Sequence, residues 1–250
     1  MGGRRRAMPL REEVRLLSAS DLLEPLSEGE LEELARRNPD TRLQAGEVFF
    51  RPEEGLERLY VLKEGRVRVY KTGPEGQEVT LEVVRAGSVF GEMALTAQRL
   101  RDSYAVAEEP SVVFSLRRED LEDLIRGKAE VGLRLVRSLG EQLRRCERRL
   151  EDVALKEMPA RLASQILELI EAEGVASAEG YLVPTPYTHE QLASMIGANR
   201  VSVSRAFAEL RDRGIVERKG RRIVVKDLEA LGRAAQDESR GRRIAESEHC

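Results

Sequence analysis

The chain has 250 residues, of which 42 are Lys or Arg and 45 Asp or Glu, giving a formal net charge of −3. With 41% hydrophobic residues it can bury a substantial core, its length favours two domains, and no segment reaches the roughly 18 uninterrupted apolar residues of a membrane span. Two cysteines (Cys146, Cys250) and two histidines (His189, His249) exclude, within one chain, a disulfide framework or a four-cysteine zinc or iron–sulfur site.

The opening MGGRRRAMP is basic, but no apolar stretch follows it, so no signal peptide is expected and the address is expected to be cytoplasmic. Residues 1–20 are read as an N-terminal extension. A helical pattern covers 11–37, and Ser27 with Glu30 three residues on marks the start of its last short helix. From 41 to 116 the period changes. In RVRVY and EVTLEVV apolar and polar residues alternate, and turn residues fall at Gly46, Gly65, Gly76 and Gly87. About eight such strands predict an antiparallel sandwich or jelly roll over 21–128, a shape able to hold a ligand between its sheets.

A long helix follows over 129–157. Gly132, Val136, Leu139, Leu143, Cys146, Leu150 and Val153 are spaced alternately four and three residues apart. That heptad seam argues for a homodimer joined through Val136, Leu139, Leu143, Cys146, Leu150 and Val153. An ordinary helix packed on its own domain is the alternative. Leu133 and Leu135 widen the stripe at its start, so this part is expected to serve both purposes, with Cys146 a small buried hydrophobe. Pro159 places a hinge near Lys156–Pro159. A helix, ARLASQILELIEAEG, and a loop, VASAEGYLVPTPY, come next.

Residues 188–226 read as helix, tight turn, helix and a two-stranded hairpin with a basic tip, the succession of a winged helix-turn-helix spanning 158–235. Thr188 and Gln191 have the spacing of a capping box. Gly197 permits the turn, and Asn199 caps a second helix over about 200–212. At 100° per residue, Val203, Ala206, Phe207 and Leu210 share one face, while Val201, Ser204, Arg205, Ala208 and Asp212 lie opposite. Arg can bond guanine bidentately and a small apolar group can meet a thymine methyl. Arg200, Ser202 and the free N–H groups of the first turn suit phosphate, and Thr188 and His189 at the start of the first helix and Asn199 at the start of the second are candidate DNA contacts with them. Between Gly197 and Lys226 nine basic residues, Lys219 and Arg221 at the hairpin tip among them, face three acidic ones. Nucleic-acid affinity follows such a local excess rather than total charge. A merely solvated basic face is the bland alternative. The polar tail 236–250 is expected to be disordered, and its His249–Cys250 pair is too small for a metal site.

Taken together, these stretches resemble the Crp/Fnr superfamily of bacterial transcription regulators, from about Leu22 to Leu231. Leu43, Gly46, Val48 and Phe49, then Tyr60-Val61-Leu62 with Gly65 and Val67-Arg68-Val69, then Gly87 and Phe90-Gly91-Glu92-Met93 are similar to that family's cyclic-nucleotide-binding jelly roll. The resemblance implies an effector site at Gly91, Glu92, Met93, Arg101 and Ser103, with Cys146 and Glu147 contributed by the long helix. It also implies an arginine for the cyclic phosphate, but that position holds Asp102. Arg101, one residue earlier, would point to the other side of a strand. A carboxylate there repels phosphate, so an effector other than cyclic AMP, or none, is expected; Gly91 and Glu92 would otherwise only shape a turn. The family's haem and iron–sulfur sensors need ligands this chain lacks. The run Asn199-Arg200-Val201-Ser202-Val203-Ser204-Arg205 is similar to the cyanobacterial nitrogen-control regulators. That implies half-sites of the GTA type, with Arg205 on guanine and Val201 beside a thymine methyl, without implying their 2-oxoglutarate ligand.

The expected architecture is therefore α+β: an N-terminal jelly roll, a long dimerisation helix and a C-terminal winged helix-turn-helix. The expected protein is a homodimeric, sequence-specific DNA-binding regulator rather than an enzyme, since no Ser–His–Asp set, metal cluster or P-loop is visible. Its expected partners are a pseudo-palindromic duplex, a second copy of itself and RNA polymerase, with no membrane. The competing expectation is a ligand-binding module acting on a protein partner, which would have no need of residues 188–226.

Overall fold

The computed structural model describes residues 10–38, 40–54, 58–91 and 102–236. Packing divides the chain into two compact units, one of residues 1–73 and 81–141, the other of 74–80 and 142–250.

The first unit begins with α1 (Leu10–Ser18) and α2 (Glu28–Arg37). Ser27 caps α2: its hydroxyl accepts the Glu30 N–H, and its own N–H donates to the Glu30 carboxylate at 2.7 Å. Eight strands follow: β1 (Asp40–Leu43), β2 (Val48–Phe50), β3 (Arg58–Glu64), β4 (Arg66–Thr72), β5 (Glu78–Arg85), β6 (Val89–Phe90), β7 (Tyr104–Ala107) and β8 (Ser111–Arg117). They form two four-stranded sheets, in the orders β1-β8-β3-β6 and β2-β7-β4-β5. Leu43, Tyr60, Leu62, Phe90 and Val113 of the first sheet and Phe50, Val67, Val84, Ala105 and Ala107 of the second make one buried cluster. This is the interior of the expected jelly roll.

Strand β3 is buried on both faces. Tyr60 and Leu62 enter the cluster between the sheets, whereas Leu59 and Val61, with Phe114 and Leu116 of β8, pack under helices. Those helices are α1, α2, α3 (Arg118–Gly127) and the start of α4 (Ala129–Leu155). Val14 and Leu17 of α1 belong to this second cluster, so residues 10–18 are built into the helical side of the unit. Lys63, also on β3, has its ammonium fully buried, 2.8 Å from Asp40 and 3.5 Å from Glu13. Burial of that charge is tolerated because two carboxylates pair with it.

Helix α4 changes character along its length. Val131 and Leu135 are buried in the helical cluster, whereas Leu133 is exposed. From Val136 onward the heptad residues face outward, Val136 at 66% and Leu150 at 71% exposure, with Leu139, Leu143 and Val153 also open. Cys146, expected to be a buried hydrophobe, is exposed in the single chain because its seam has nothing packed on it.

In the second unit α5 (Met158–Glu173) begins with Pro159 in its first turn, where a missing N–H is harmless. It is followed by β9 (Val175–Ser177), β10 (Gly180–Val183), α6 (His189–Ile196), α7 (Arg200–Asp212), β11 (Val216–Lys219), β12 (Arg222–Val225) and α8 (Leu228–Ala235). The expected two-stranded hairpin is half of a four-stranded sheet, β11-β12-β10-β9. The segment expected to be a loop supplies the other half. Tyr181, Leu182 and Val183 pair antiparallel with Val225, Val224 and Ile223. Gly180 makes this approach feasible, since at φ +118° an added Cβ would stand 2.2 Å from the Val225 carbonyl oxygen. Among the described residues no helix is long and apolar enough to cross a membrane.

Candidate nucleic-acid interface

The helix pair of the second unit is specified by its own short-range chemistry. Thr188 Oγ1 accepts the Gln191 N–H at 3.1 Å, and the Thr188 N–H donates to Gln191 Oε1 at 2.9 Å, closing a capping box on α6. Gly197 ends α6 in the left-handed region, at φ +60° and ψ +47°. Asn199 Oδ1 then accepts the Ser202 N–H at 2.8 Å and starts α7. Thr188 and Asn199, both candidate DNA contacts, are thus first of all caps.

Helix α7 buries Val203, Ala206, Phe207 and Leu210. Opposite them Val201 (59% exposed) and Arg205 face solvent, with Ala208 and Ser204 partly covered and Arg200 open at the N-terminal end. A rigid helix thus presents one donor-rich planar group and one small apolar group four residues apart, on a single face. Ser202 is half-buried beside them.

The wing brings further cations. Arg221 is exposed at the turn between β11 and β12. Lys219 is engaged elsewhere, its ammonium 2.5 Å from Glu179 on the neighbouring hairpin. Arg218 escaped sequence reasoning. It donates to the Tyr187 carbonyl oxygen, its guanidinium lies 5.3 Å from the Phe207 ring centroid, and it is half-buried. Thr188, His189, Glu190, Arg200, Arg218 and Arg221 together line a recess of about 500 Å³. Its lining carries three guanidinium groups against one carboxylate, so the local charge is positive. Arg218 could have been suspected only from its basic neighbours, because its role depends on Tyr187, 31 residues away in the chain.

The candidate effector residues are brought together less completely. Gly91 is at φ +79°, and an added Cβ would meet Tyr60 Cδ2 at 2.8 Å, so glycine is required there by backbone and packing alike. Ser103 is half-buried, whereas Glu92, Met93 and Arg101 lie outside the described residues. Asp102 is exposed and forms an ion pair with Lys71 on β4 at 2.7 Å. Cys146 and Glu147 are exposed on α4.

Comparisons with known proteins agree with this geometry. Residues 40–128 match the model of the cyclic nucleotide-binding domain and residues 160–234 that of the Crp-like helix-turn-helix domain. The chain is 30% identical over 192 residues to the global nitrogen regulator of Synechococcus elongatus, covering 76% of this chain and 86% of that one. To the CRP-like cAMP-activated global transcriptional regulator of Mycobacterium tuberculosis it is 29% identical over 191 residues, covering 76% and 85%. Among solved structures, a CRP-family transcriptional regulator from Thermus thermophilus superposes with a TM-score of 0.67 at 31% identity, covering 79% of this chain and 97% of that one. The CooA mutant from Carboxydothermus hydrogenoformans, at 23% identity, shares the fold with a TM-score of 0.75, covering 90% and 99%.

Proposed function

The chain belongs to the Crp/Fnr family of transcription regulators, and from that premise we propose that its outward α7 face reads a pseudo-palindromic operator in the major groove. The observation that carries the proposal is the pairing on α7 of an exposed Arg205 with an exposed Val201, above a buried face that fixes both. Arg205 is assigned to guanine and Val201 to a thymine methyl. Arg200, Ser202 and Arg221 hold the backbone and set register. Lys219 contacts phosphate only if it leaves Glu179.

The protein acts as a homodimer. The open stripe from Val136 to Val153 of α4 supports a second copy of α4 as its cover. Two recognition helices about 34 Å apart then meet successive major grooves. The jelly roll adjusts DNA affinity by favouring or disfavouring the DNA-competent population when its effector binds. The ion pair of Asp102 with Lys71 supports an effector other than cyclic AMP. RNA polymerase is the partner through which an operator-bound dimer alters transcription, and the cytoplasm is where it does so. A module acting on a protein partner would leave α6, α7 and the basic wing without a role.

Selection of bound duplexes from a random pool tests the reading. It is expected to enrich an inverted repeat whose half-sites carry G opposite Arg205 and T beside Val201. A purified protein that enriches nothing at moderate salt would overturn it.

A further inference from the structure

On β11 a charged side chain stands in an apolar row. Val216 and Arg218 point to the same side of the strand, opposite Val225 and Ile223 of β12. Val216, Ile223 and Val225 are buried. Arg218, half-buried at the end of that row, lays its guanidinium over the ring of Phe207, 5.3 Å from the centroid. Its Nη2 donates to the carbonyl oxygen of Tyr187, the residue ahead of the Thr188 cap of α6, and lies 3.4 Å from the Arg221 carbonyl oxygen in the wing turn. One side chain thus touches the entry of α6, the buried face of α7 and the turn of the wing.

Tyr187 is fully buried, and its hydroxyl donates to Glu173 Oε1 of α5 at 2.6 Å. At the far end of α6, Arg161 of α5 donates to the Ile196 carbonyl oxygen. Helix α6 is therefore gripped through main-chain carbonyls at both ends, and the grip at its start belongs to the wing. Nε of Arg218 is sealed from solvent with no hydrogen-bond partner among the described residues. An unpaired buried donor is unfavourable, and an apolar side chain would suit a row of valine and isoleucine better. Stability alone does not account for an arginine here.

We propose that Arg218 is a positioning residue for base reading: it locks the wing to α6 and α7, so that Arg221 and the Arg205 and Val201 pair meet the duplex in one register. The inference rests on the DNA-binding reading and deepens it. A recognition contact needs its side chain held within about 0.5 Å of the productive geometry. Backbone contacts supply the register, and they can do so only if the wing is rigid relative to α7. A guanidinium can lie flat on a ring and donate in its own plane at once, whereas an ammonium has neither the plane nor the fork. Without Arg218 the wing and the helix settle on DNA separately. The loss then falls on a matched duplex, since on a scrambled one each keeps its phosphate contacts.

Arg218→Lys keeps the charge, and Arg218→Met keeps the packing on Phe207. Anisotropy with the full-length protein, on the selected duplex and a scrambled one across a salt series, is read beside Tm from thermal melts. Both variants are expected to lose on the order of tenfold in the ratio of matched to scrambled affinity, the scale of one good base contact. Arg218→Lys should keep the wild-type salt slope, and Arg218→Met a Tm close to that of wild type. Arg221→Ala should weaken matched binding less in the Arg218→Met background than in wild type, a coupling of about twofold or more. An unchanged ratio in both variants overturns the proposal, and additive effects of Arg218 and Arg221 overturn it too. A uniform loss on both duplexes in Arg218→Met, with a shallower salt slope and with Arg218→Lys behaving as wild type, would make Arg218 a plain phosphate contact and overturn it as well. Absence of duplex binding by wild type overturns the DNA-binding reading, and this inference with it.

Discussion

Lys71 Nζ lies 2.7 Å from Asp102 Oδ2, joining β4 to the segment that enters β7 two residues later. The carboxylate that the family resemblance sets against a phosphate-binding arginine is thereby matched by a cation of its own. So paired, Asp102 offers a cyclic phosphate neither a hydrogen-bond donor nor a net positive charge, the two things an arginine would supply. Cyclic AMP is expected to leave the duplex affinity of the wild type unchanged, as judged by anisotropy with and without the nucleotide. A clear rise would show that other groups hold the phosphate.

Arg205→Ala should weaken binding to the selected duplex by about 1–3 kcal/mol and relax preference at a single base position in each half-site. Arg221→Ala should instead weaken all duplexes alike and lower the salt dependence. Competition titrations against single-base variants separate the two. An Arg205→Ala protein with undiminished affinity would place the reading face elsewhere.

Leu150 is the most exposed of the large apolar seam residues on α4. Leu150→Glu is expected to convert the dimer to monomer in light scattering, with loss of operator binding. In a parallel pair, equivalent positions face each other across the seam. Mild oxidation of a Cys250→Ser protein should therefore yield a covalent dimer through Cys146, visible on a non-reducing gel. A Leu150→Glu protein that stays dimeric, together with no Cys146 cross-link on oxidation, would remove the seam from the interface.

Gly65 and Gly76 both lie at positive φ, +87° and +79°. Around Gly76 an added Cβ meets nothing within 4 Å, whereas at Gly65 it would stand 2.5 Å from the Pro110 carbonyl oxygen. Gly76→Ala should cost about 1 kcal/mol from backbone strain alone, and Gly65→Ala clearly more, because backbone must move. Urea denaturation of the two variants checks the order.

Glu30 is held at a pKa of about 2, below the usual 4.5, chiefly by its hydrogen bond with Lys128 and then by Ser27. A carboxylate whose pKa is depressed on folding contributes stability that is complete above about 4.5 and disappears as pH falls towards about 2. Glu30→Gln should therefore narrow the stability difference between neutral and acid pH across that window. Circular dichroism during acid titration measures it.

The DNA reader was legible because its determinants are local. Thr188 with Gln191, Gly197, and Asn199 with Ser202 each act within a few residues, and the apolar period of α7 needs no partner to be seen. Arg218 and the β9–β10 hairpin were missed for the opposite reason. The first takes its place from Tyr187, and the second is a strand pair too short to alternate, made recognisable only by β12. Lys63 in β3 is a similar case. A lysine inside a strand reads as its solvent side, and only Asp40 and Glu13, far away in sequence, allow its burial. In the sensor region, the glycines marked the turns, but the pairing of Asp102 with Lys71 depends on strand neighbours that sequence order does not reveal.

The uncovered stripe of α4 ties gene control to supply. Where protomers outnumber pairs, the concentration of assembled pairs follows the square of the total, so halving the number of chains per cell lowers the operator-competent species about fourfold. Changes in synthesis or breakdown of this protein then act as an input to transcription in their own right.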